Sequence, residues 1–230
     1  MSARLGSPRL HLRATDSTND RAKALAARGA PHGTLVTAGE QSAGRGRQGR
    51  TWSAPPGRAL LMSLVLRERP ALLPLAAAVA VADVAGAQAQ IKWPNDVLLA
   101  GGGKVAGILV EARPQEGWAV LGIGLNVAVR PGDLPDELRG QAATLGLEPA
   151  AIEPVLAALL EALGARLAQE PAGLLEAFRA RDALRGREVR WERGTGIAAG
   201  IDAGGRLLVD AAGGGRVALD AGEVHLGTAT

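Results

Sequence analysis

Three arginines set among glycines form the chain's densest group of chemically capable side chains: Gly44-Arg45-Gly46-Arg47-Gln48-Gly49-Arg50-Thr51-Trp52. Glycine lets the backbone approach a ligand closely and aims successive N–H groups at it. Guanidinium heads are planar, permanently charged and matched to carboxylate and phosphate oxygens. The run therefore suits a small anion. A mobile surface loop with solvated arginines has the same composition, so the segment needs support from its neighbours. A strand expected before it and an apolar strand expected after it make it an anchored loop.

Four further segments carry chemistry. In Lys92-Trp93-Pro94-Asn95-Asp96, Pro94 breaks the ladder between two strands and leaves Asn95 and Asp96 on a rigid turn. A hairpin turn alone accounts for Asn95 and Asp96, but not for Lys92 and Trp93. In Lys104-Val105-Ala106-Gly107-Ile108-Leu109-Val110-Glu111 a lysine opens an apolar strand, and Gly107 leaves room beside the backbone. Gly122-Ile123-Gly124-Leu125-Asn126 places two glycines in a strand, which a β-bulge or a close ligand explains. Asp16-Ser17-Thr18-Asn19 stands at a helix start, with Ser17 or Thr18 as N-cap.

The elements that must position these residues follow from periodicity and punctuation. Strands are expected at Leu10–Ala14, Thr34–Ala38, Ala59–Leu66, Gln90–Trp93, Val97–Ala100, Val105–Ala112 and Trp118–Val129. The last two form an antiparallel hairpin. Helices are expected from Ser17 to Gly29, Ala71 to Ala85, Pro154 to Ala168 and Gly173 to Leu184. Past Gly186 the texture changes to short strands between glycine turns, at Arg187–Trp191, Ile197–Asp202, Arg206–Asp210 and Arg216–Leu219. That spacing predicts a small β-barrel. The expected division is residues 1–185 as the site-bearing domain and 186–230 as a C-terminal β module.

Composition narrows the classes. Of 230 residues, 47% are apolar, enough for a core and against disorder. Cysteine is absent, which excludes disulfides, thiolate metal sites and a cysteine nucleophile. His11, His32 and His225 lack metal-ligand spacing, so no metal site is expected in the protein and a Ser-His-Asp triad has little material. The net charge of +3 does not point to nucleic acid. Residues Met1 to Arg9 lack the apolar stretch of a secretory signal, and the Ala-rich run Leu72–Ala89, with Pro74 and Asp83, reads as a buried helix rather than a membrane span. A soluble, cytoplasmic protein without membrane or nucleic-acid partners is expected.

In order along the chain, these five segments closely resemble the biotin–protein ligase family. Its catalytic domain carries a D-S-T-N element, a GRGRxGRxW loop, a KWPND turn, a K-(V/L)-x-G-I-L-x-E strand and a G-x-G-x-N strand. The resemblance runs from about His11 to Leu184, with an SH3-like module beyond. It implies an α+β fold, a mixed, mostly antiparallel sheet flanked by helices, of the class II aminoacyl-tRNA synthetase/biotin ligase type. It implies that biotin and ATP form biotinyl-5'-AMP, from which biotin passes to one lysine of the biotin carboxyl carrier protein of acetyl-CoA carboxylase or a related carboxylase, with Mg2+ offsetting phosphate charge.

Carried over position by position, Ser17, Thr18, Asn19 and Gln41 would bind the ureido head of biotin. Gly44, Arg45, Arg47, Lys104 and Gly107 would complete the biotin side. Arg45, Arg47, Arg50, Trp52, Lys92, Asn95, Lys104 and Asn126 would hold ATP or the adenylate, with Trp52 and Asn126 facing adenine. Lys104, Arg47 and Asp96 would serve the chemistry: Lys104 bridging carboxylate and α-phosphate, Arg47 retaining the adenylate, Asp96 orienting or deprotonating the acceptor amine. The arginine loop is expected to fold over the adenylate and shield it from water. The motifs begin at Asp16, which leaves no room ahead of them for the DNA-binding domain of bifunctional family members, so a repressor role is not expected. Monomer and homodimer both stay open.

Two rivals remain at this stage. Lipoate ligation shares the fold and adenylate logic, but its R-R-x-S-G-G-G signature is absent and Gly101-Gly102-Gly103 lacks that context. A basic nucleic-acid-binding module would use the same arginines on a phosphate backbone.

Overall fold

The computed structural model describes residues 5–67, 70, 72–220 and 224–226. Ala71, expected to open the second helix, lies outside them, as do the first four residues and positions 221–223 and 227–230 of the expected C-terminal module.

Seven strands form the main sheet: β1 (Arg9–Leu12), β2 (Leu35–Ala38), β3 (Ala59–Leu66), β4 (Gln90–Lys92), β5 (Asp96–Leu98), β6 (Lys104–Arg113) and β7 (Trp118–Asn126), in the order β1-β2-β3-β7-β6-β5-β4. Only β1 and β2 run parallel among the described pairs. The fold is thus α+β with a mostly antiparallel sheet, as the sequence predicts.

Period-two alternation decides what each face carries. On β3 and β7, Leu60, Met62, Leu64, Leu121, Ile123 and Leu125 join the main core. The other face of the same strands carries Ser63, Val65, Val120, Gly122 and Gly124. Helix α1 (Thr18–Ala27) lies on that second face, its Ala22 and Ala26 packed against Val36, Val65, Trp118 and Val120. Small residues at the contact let the helix approach the sheet closely.

The core face is covered by α2 (Leu73–Ala85), backed by α3 (Ile152–Leu167) and α4 (Pro171–Arg179). Residues Leu75–Ala82 of α2 are all buried, which fits a helix sandwiched between sheet and helices rather than one with a wet face.

Several boundaries differ from expectation for identifiable reasons. The first strand is Arg9–Leu12, not Leu10–Ala14. Ser17 precedes α1, but its side chain makes no capping bond; its N–H donates to Asp16 Oδ1 at 2.8 Å instead. Helix α1 stops at Ala27, before Gly29 in a left-handed conformation. Helix α4 stops at Arg179, not Leu184, because the next residues run beside β4: Ile91 N–H donates to Arg181 O and Ala183 N–H to Ile91 O. β7 ends at Asn126, after which Ala128 N–H turns to Arg58 O.

A second, five-stranded antiparallel sheet comprises β8 (Glu188–Trp191), β9 (Gly194–Ile201), β10 (Leu207–Ala211), β11 (Arg216–Leu219) and β12 (His225–Leu226), ordered β11-β10-β9-β8-β12. The two-residue β12 has no sequence signature of its own. This sheet fits the expected SH3-like module, and its Val189, Ile201, Leu207 and Val209 share one hydrophobic core with the main sheet. Trp93 also ties the two sheets, donating from Nε1 to Gly205 O at 2.9 Å.

Candidate active site

A bare strip of sheet forms the floor of the site. On the α1 face, Ser63 pairs with Gly122, and Gly122 with Leu109; one row on, Leu61 pairs with Gly124, and Gly124 with Gly107. Three of these six positions lack a side chain, so flat groups can rest on the ladder itself. Two do so already. A Cβ on Gly122 would collide with the Asn19 carboxamide, and one on Gly124 with the indole of Trp52. The glycine pair of β7 is therefore a close-approach surface rather than a bulge, since the β6–β7 and β3–β7 registers run through it unbroken.

Over this strip lies a cavity of about 920 Å³ including its open mouth. At one end stand Ser17, Thr18 and Asn19, presented by the start of α1, and Gln41, which follows β2. Thr18 donates to Gln41 Oε1 twice, from its backbone N–H at 2.7 Å and its hydroxyl at 2.9 Å. Ser63 Oγ, fully buried, contacts Thr18 Oγ1 at 2.8 Å and Asn19 Oδ1 at 2.6 Å. Three oxygen–oxygen contacts thus share the two protons of Thr18 and Ser63. This end is uncharged and short of one donor.

The other end is cationic. Lys104, opening β6, sits 2.7 Å from Asp96 Oδ1 and 5.6 Å from the centre of the Trp52 ring. Lys92, Asn95 and Asp96 line the same end, brought there by the hairpin of β4 and β5.

The arginine loop forms the roof. Gly44 and Trp52 pair through Trp52 N–H to Gly44 O at 3.0 Å, Arg45 bridges to Thr51, and Gly46 N–H donates to Arg50 O at 2.7 Å. Gln48 and Gly49 make the left-handed turn at its tip. Among the contacts that hold the roof down are Arg45 Nε to Asp20 Oδ2 at 3.0 Å and Arg47 Nη1 to Asn95 Oδ1 at 3.2 Å. Trp52 Nε1 is buried without a partner among the described residues.

Of the residues singled out from sequence, Ser17, Thr18, Asn19, Gln41, Arg45, Arg47, Arg50, Trp52, Lys92, Asn95, Asp96, Lys104 and Gly107 line this one cavity. Two stand apart. Gly44 borders a neighbouring groove that the loop shares with Leu109 and Glu111. Asn126 is on the same face of β7 one row beyond Gly124, where its Nδ2 donates to Ala143 O at 2.9 Å, and Ala143 N–H in turn donates to Lys104 O at 2.8 Å. It braces the strand that carries Lys104, and its own Oδ1 is buried without a partner among the described residues.

Four side chains at the site escaped the sequence reading: Ser63, Asp20, Lys23 and Glu111. Ser63 had a signal, as the only polar residue in the strand Ala59–Leu66, and it is fully buried. Lys23 joins the other two, bonding Asp20 Oδ1 at 2.8 Å and Glu111 Oε1 at 2.7 Å. Burial acts to lower its pKa, but these two carboxylates outweigh it and hold the ammonium above its usual value.

Comparison with known proteins places this geometry among relatives. The Biotin/lipoate A/B protein ligase family matches residues 12–127, and the Biotin protein ligase C terminal domain matches residues 185–227. A biotin–[acetyl-CoA-carboxylase] ligase of Mycobacterium tuberculosis is 39% identical over 236 residues, covering 92% of this chain and 86% of that protein. The bifunctional ligase/repressor BirA of Bacillus subtilis is 45% identical over 141 residues, 56% of this chain; the match spans only 43% of that relative's length. Among solved structures, the biotin protein ligase from Aquifex aeolicus in complex with biotin and ATP superposes with a TM-score of 0.81 at 28% identity, covering 96% of this chain and 98% of that one.

Proposed function

The chain belongs to the biotin protein ligases of the biotin/lipoate A/B protein ligase family, and on that premise we propose that it activates biotin with ATP and transfers it to a lysine of a carboxylase's biotin carboxyl carrier protein. The observation that carries this reading is the two-ended cavity: an uncharged end with more acceptors than protons, joined to an end bearing Lys104 beneath the arginines. A ureido group brings two N–H donors and answers the shortage at Thr18, Asn19 and Gln41. A dithiolane brings none, which disfavours lipoate.

A carboxylate is a poor electrophile, so activation comes first. One carboxylate oxygen of biotin bonds to the α-phosphorus of ATP, the bond to the bridging β-oxygen breaks, and pyrophosphate leaves. Lys104 lies between the reacting anions and offsets the charge that accumulates there. Arg45, Arg47 and Arg50 hold the adenylate beneath the loop, with Lys92 and Asn95 on the nucleotide side and Asn126 toward adenine. The acceptor amine then attacks the acyl carbon, AMP leaves, and Asp96 orients the amine and takes the proton it loses.

Magnesium would arrive with the nucleotide rather than be held by a protein cage. Among the described residues no three His, Asp or Glu side chains stand together to hold an ion, and such an ion takes many of its ligands from phosphate and water. It would supply charge neutralisation on the polyphosphate.

No helix among the described residues is long and apolar enough to cross a membrane. We place the protein in the cytoplasm, with its acceptor, as a monomer or homodimer without nucleic-acid or membrane partners. Pyrophosphate exchange into ATP tests the reading directly. Exchange should require biotin and ignore lipoate; exchange with lipoate, or none with either, would remove it.

A further inference from the structure

Resting on that reading, we propose that Glu111, held by Lys23, is a positioning residue that fixes which end of the Asn19 carboxamide meets the biotin head group. A carboxamide has a donor end and an acceptor end of nearly the same shape, so packing alone does not choose between them. Glu111 chooses. A carboxylate only accepts, and its Oε2 lies 2.8 Å from Asn19 Nδ2. The amide nitrogen is thereby committed to Glu111, and Asn19 Oδ1 is left facing Ser63 at 2.6 Å.

Glu111 is itself held. Its Oε1 accepts from Lys23 Nζ at 2.7 Å, and the same ammonium bonds Asp20, whose other oxygen accepts from Arg45. Neither Lys23 nor Glu111 lines the cavity around Asn19. Glu111 instead borders the neighbouring groove of the arginine loop, and the two act through an ordered series of charges that runs from that loop to the head-group seat. The glycine at 122 completes the device, because only a position without Cβ admits the Asn19 carboxamide at this depth.

The consequence is chemical. With Glu111 in place the seat presents one more acceptor to a ligand N–H. Without it Asn19 can turn over, satisfy Ser63 with its own amide protons and abolish that acceptor. A pair that merely pinned α1 to β6 would affect stability and all substrates alike.

The test is pyrophosphate exchange with the full chain, varying biotin and ATP separately, in the parent, in Glu111→Gln and in the swap Asn19→Asp/Glu111→Gln. The parent's dependence on biotin establishes the reading first; a parent that ignores biotin removes that reading and this proposal together. In Glu111→Gln the KM for biotin should rise about ten-fold while the KM for ATP stays within about two-fold. In the swap, the new amide at position 111 donates to the new carboxylate at position 19. The second oxygen of that carboxylate again faces Ser63, so the biotin KM should return to within about three-fold of the parent. Equal increases for biotin and ATP, an unchanged biotin KM in Glu111→Gln, or a swap no better than the single variant would each overturn the assignment.

Discussion

The Lys104 ammonium lies 2.7 Å from Asp96 Oδ1, so the cation we propose for the two anionic reactants is balanced beforehand by a carboxylate on the adjacent strand. Both side chains are positioned by an irregular register: Asp96 pairs with Gly107 and Leu98 with Lys104, a one-residue shift on β6 that brings Lys104 round to the Gly107 face. On the proposed mechanism, substrates would compete with Asp96 for this ammonium, and its release would leave Asp96 available to the acceptor amine.

Lys104→Ala should therefore lower biotin-dependent pyrophosphate exchange by at least about 100-fold. The lysine side chain is about one-third exposed (35%), so the melting temperature should barely change. Retained exchange in a folded variant would move the catalytic charge elsewhere in the site.

Arg47 ties the roof to the turn through Asn95. Its replacement, Arg47→Gly, should leave adenylate formation active but let the adenylate escape, labelling bystander lysines. The check is biotin blotting of an added non-acceptor protein. Clean, acceptor-only labelling would show that Arg47 does not retain the intermediate.

The glycine strip makes a two-part prediction. Gly122→Ala forces Asn19 away and should weaken biotin binding, whereas Gly124→Ala displaces the Trp52 indole and should shift intrinsic tryptophan fluorescence. Each crowds a tightly packed surface and should cost about 1–3 kcal/mol of stability. Denaturant titration of both variants gives that figure.

Asp182 supplies a pH-dependent prediction. Burial pushes its carboxyl above the ordinary carboxylate range, more than the backbone N–H groups of Leu184 and Arg185 and the charge of Arg185 pull it down. A carboxyl with a higher pKa folded than unfolded binds its proton more tightly in the native state. It therefore favours folding below the unfolded value near 3.8, and that contribution is lost as pH rises through the folded value. Asp182→Asn should accordingly melt higher than the parent at neutral pH, with the gap closing in acid. A gap that stays constant with pH would show that the charge is not the cause.

Trp93→Phe keeps most of the packing but removes the donor to Gly205 O. The loss should cost about 1 kcal/mol and speed amide exchange at the turn between β9 and β10. Unaltered exchange there would mean that the shared core alone holds the second sheet.

Much of this molecule was legible in the chain. Apolar runs at Ala59–Leu66 and Trp118–Val129 foretold two long strands, and the glycine-punctuated run after Gly186 foretold the second sheet. The helix ends were less readable. Residues 181–183 leave α4 to bond Ile91, about ninety positions earlier, and no local pattern encodes such a partner. β12 is invisible for a similar reason: two residues acquire strand geometry only because β8 is there to receive them.

At the site, residue types and their order were sufficient to single out the arginine loop, Lys104, the turn at Asn95 and Asp96, and the polar start of α1, because charge, glycine and proline carry chemical meaning in themselves. What tertiary structure alone decided is direction and partnership. Asn126, expected at the nucleotide, also braces the strand of Lys104 through Ala143, a bond that no local pattern announces. Ser63, the one polar residue of an apolar strand, took on its meaning only where Thr18 and Asn19 meet it. Glu111 was visible only as the end of a motif until pairing set it on the same face as α1, within reach of Lys23 and Asn19. A hydrogen bond depends on an angle and a distance between residues remote in sequence, and those quantities exist only once strand register and helix packing have fixed them.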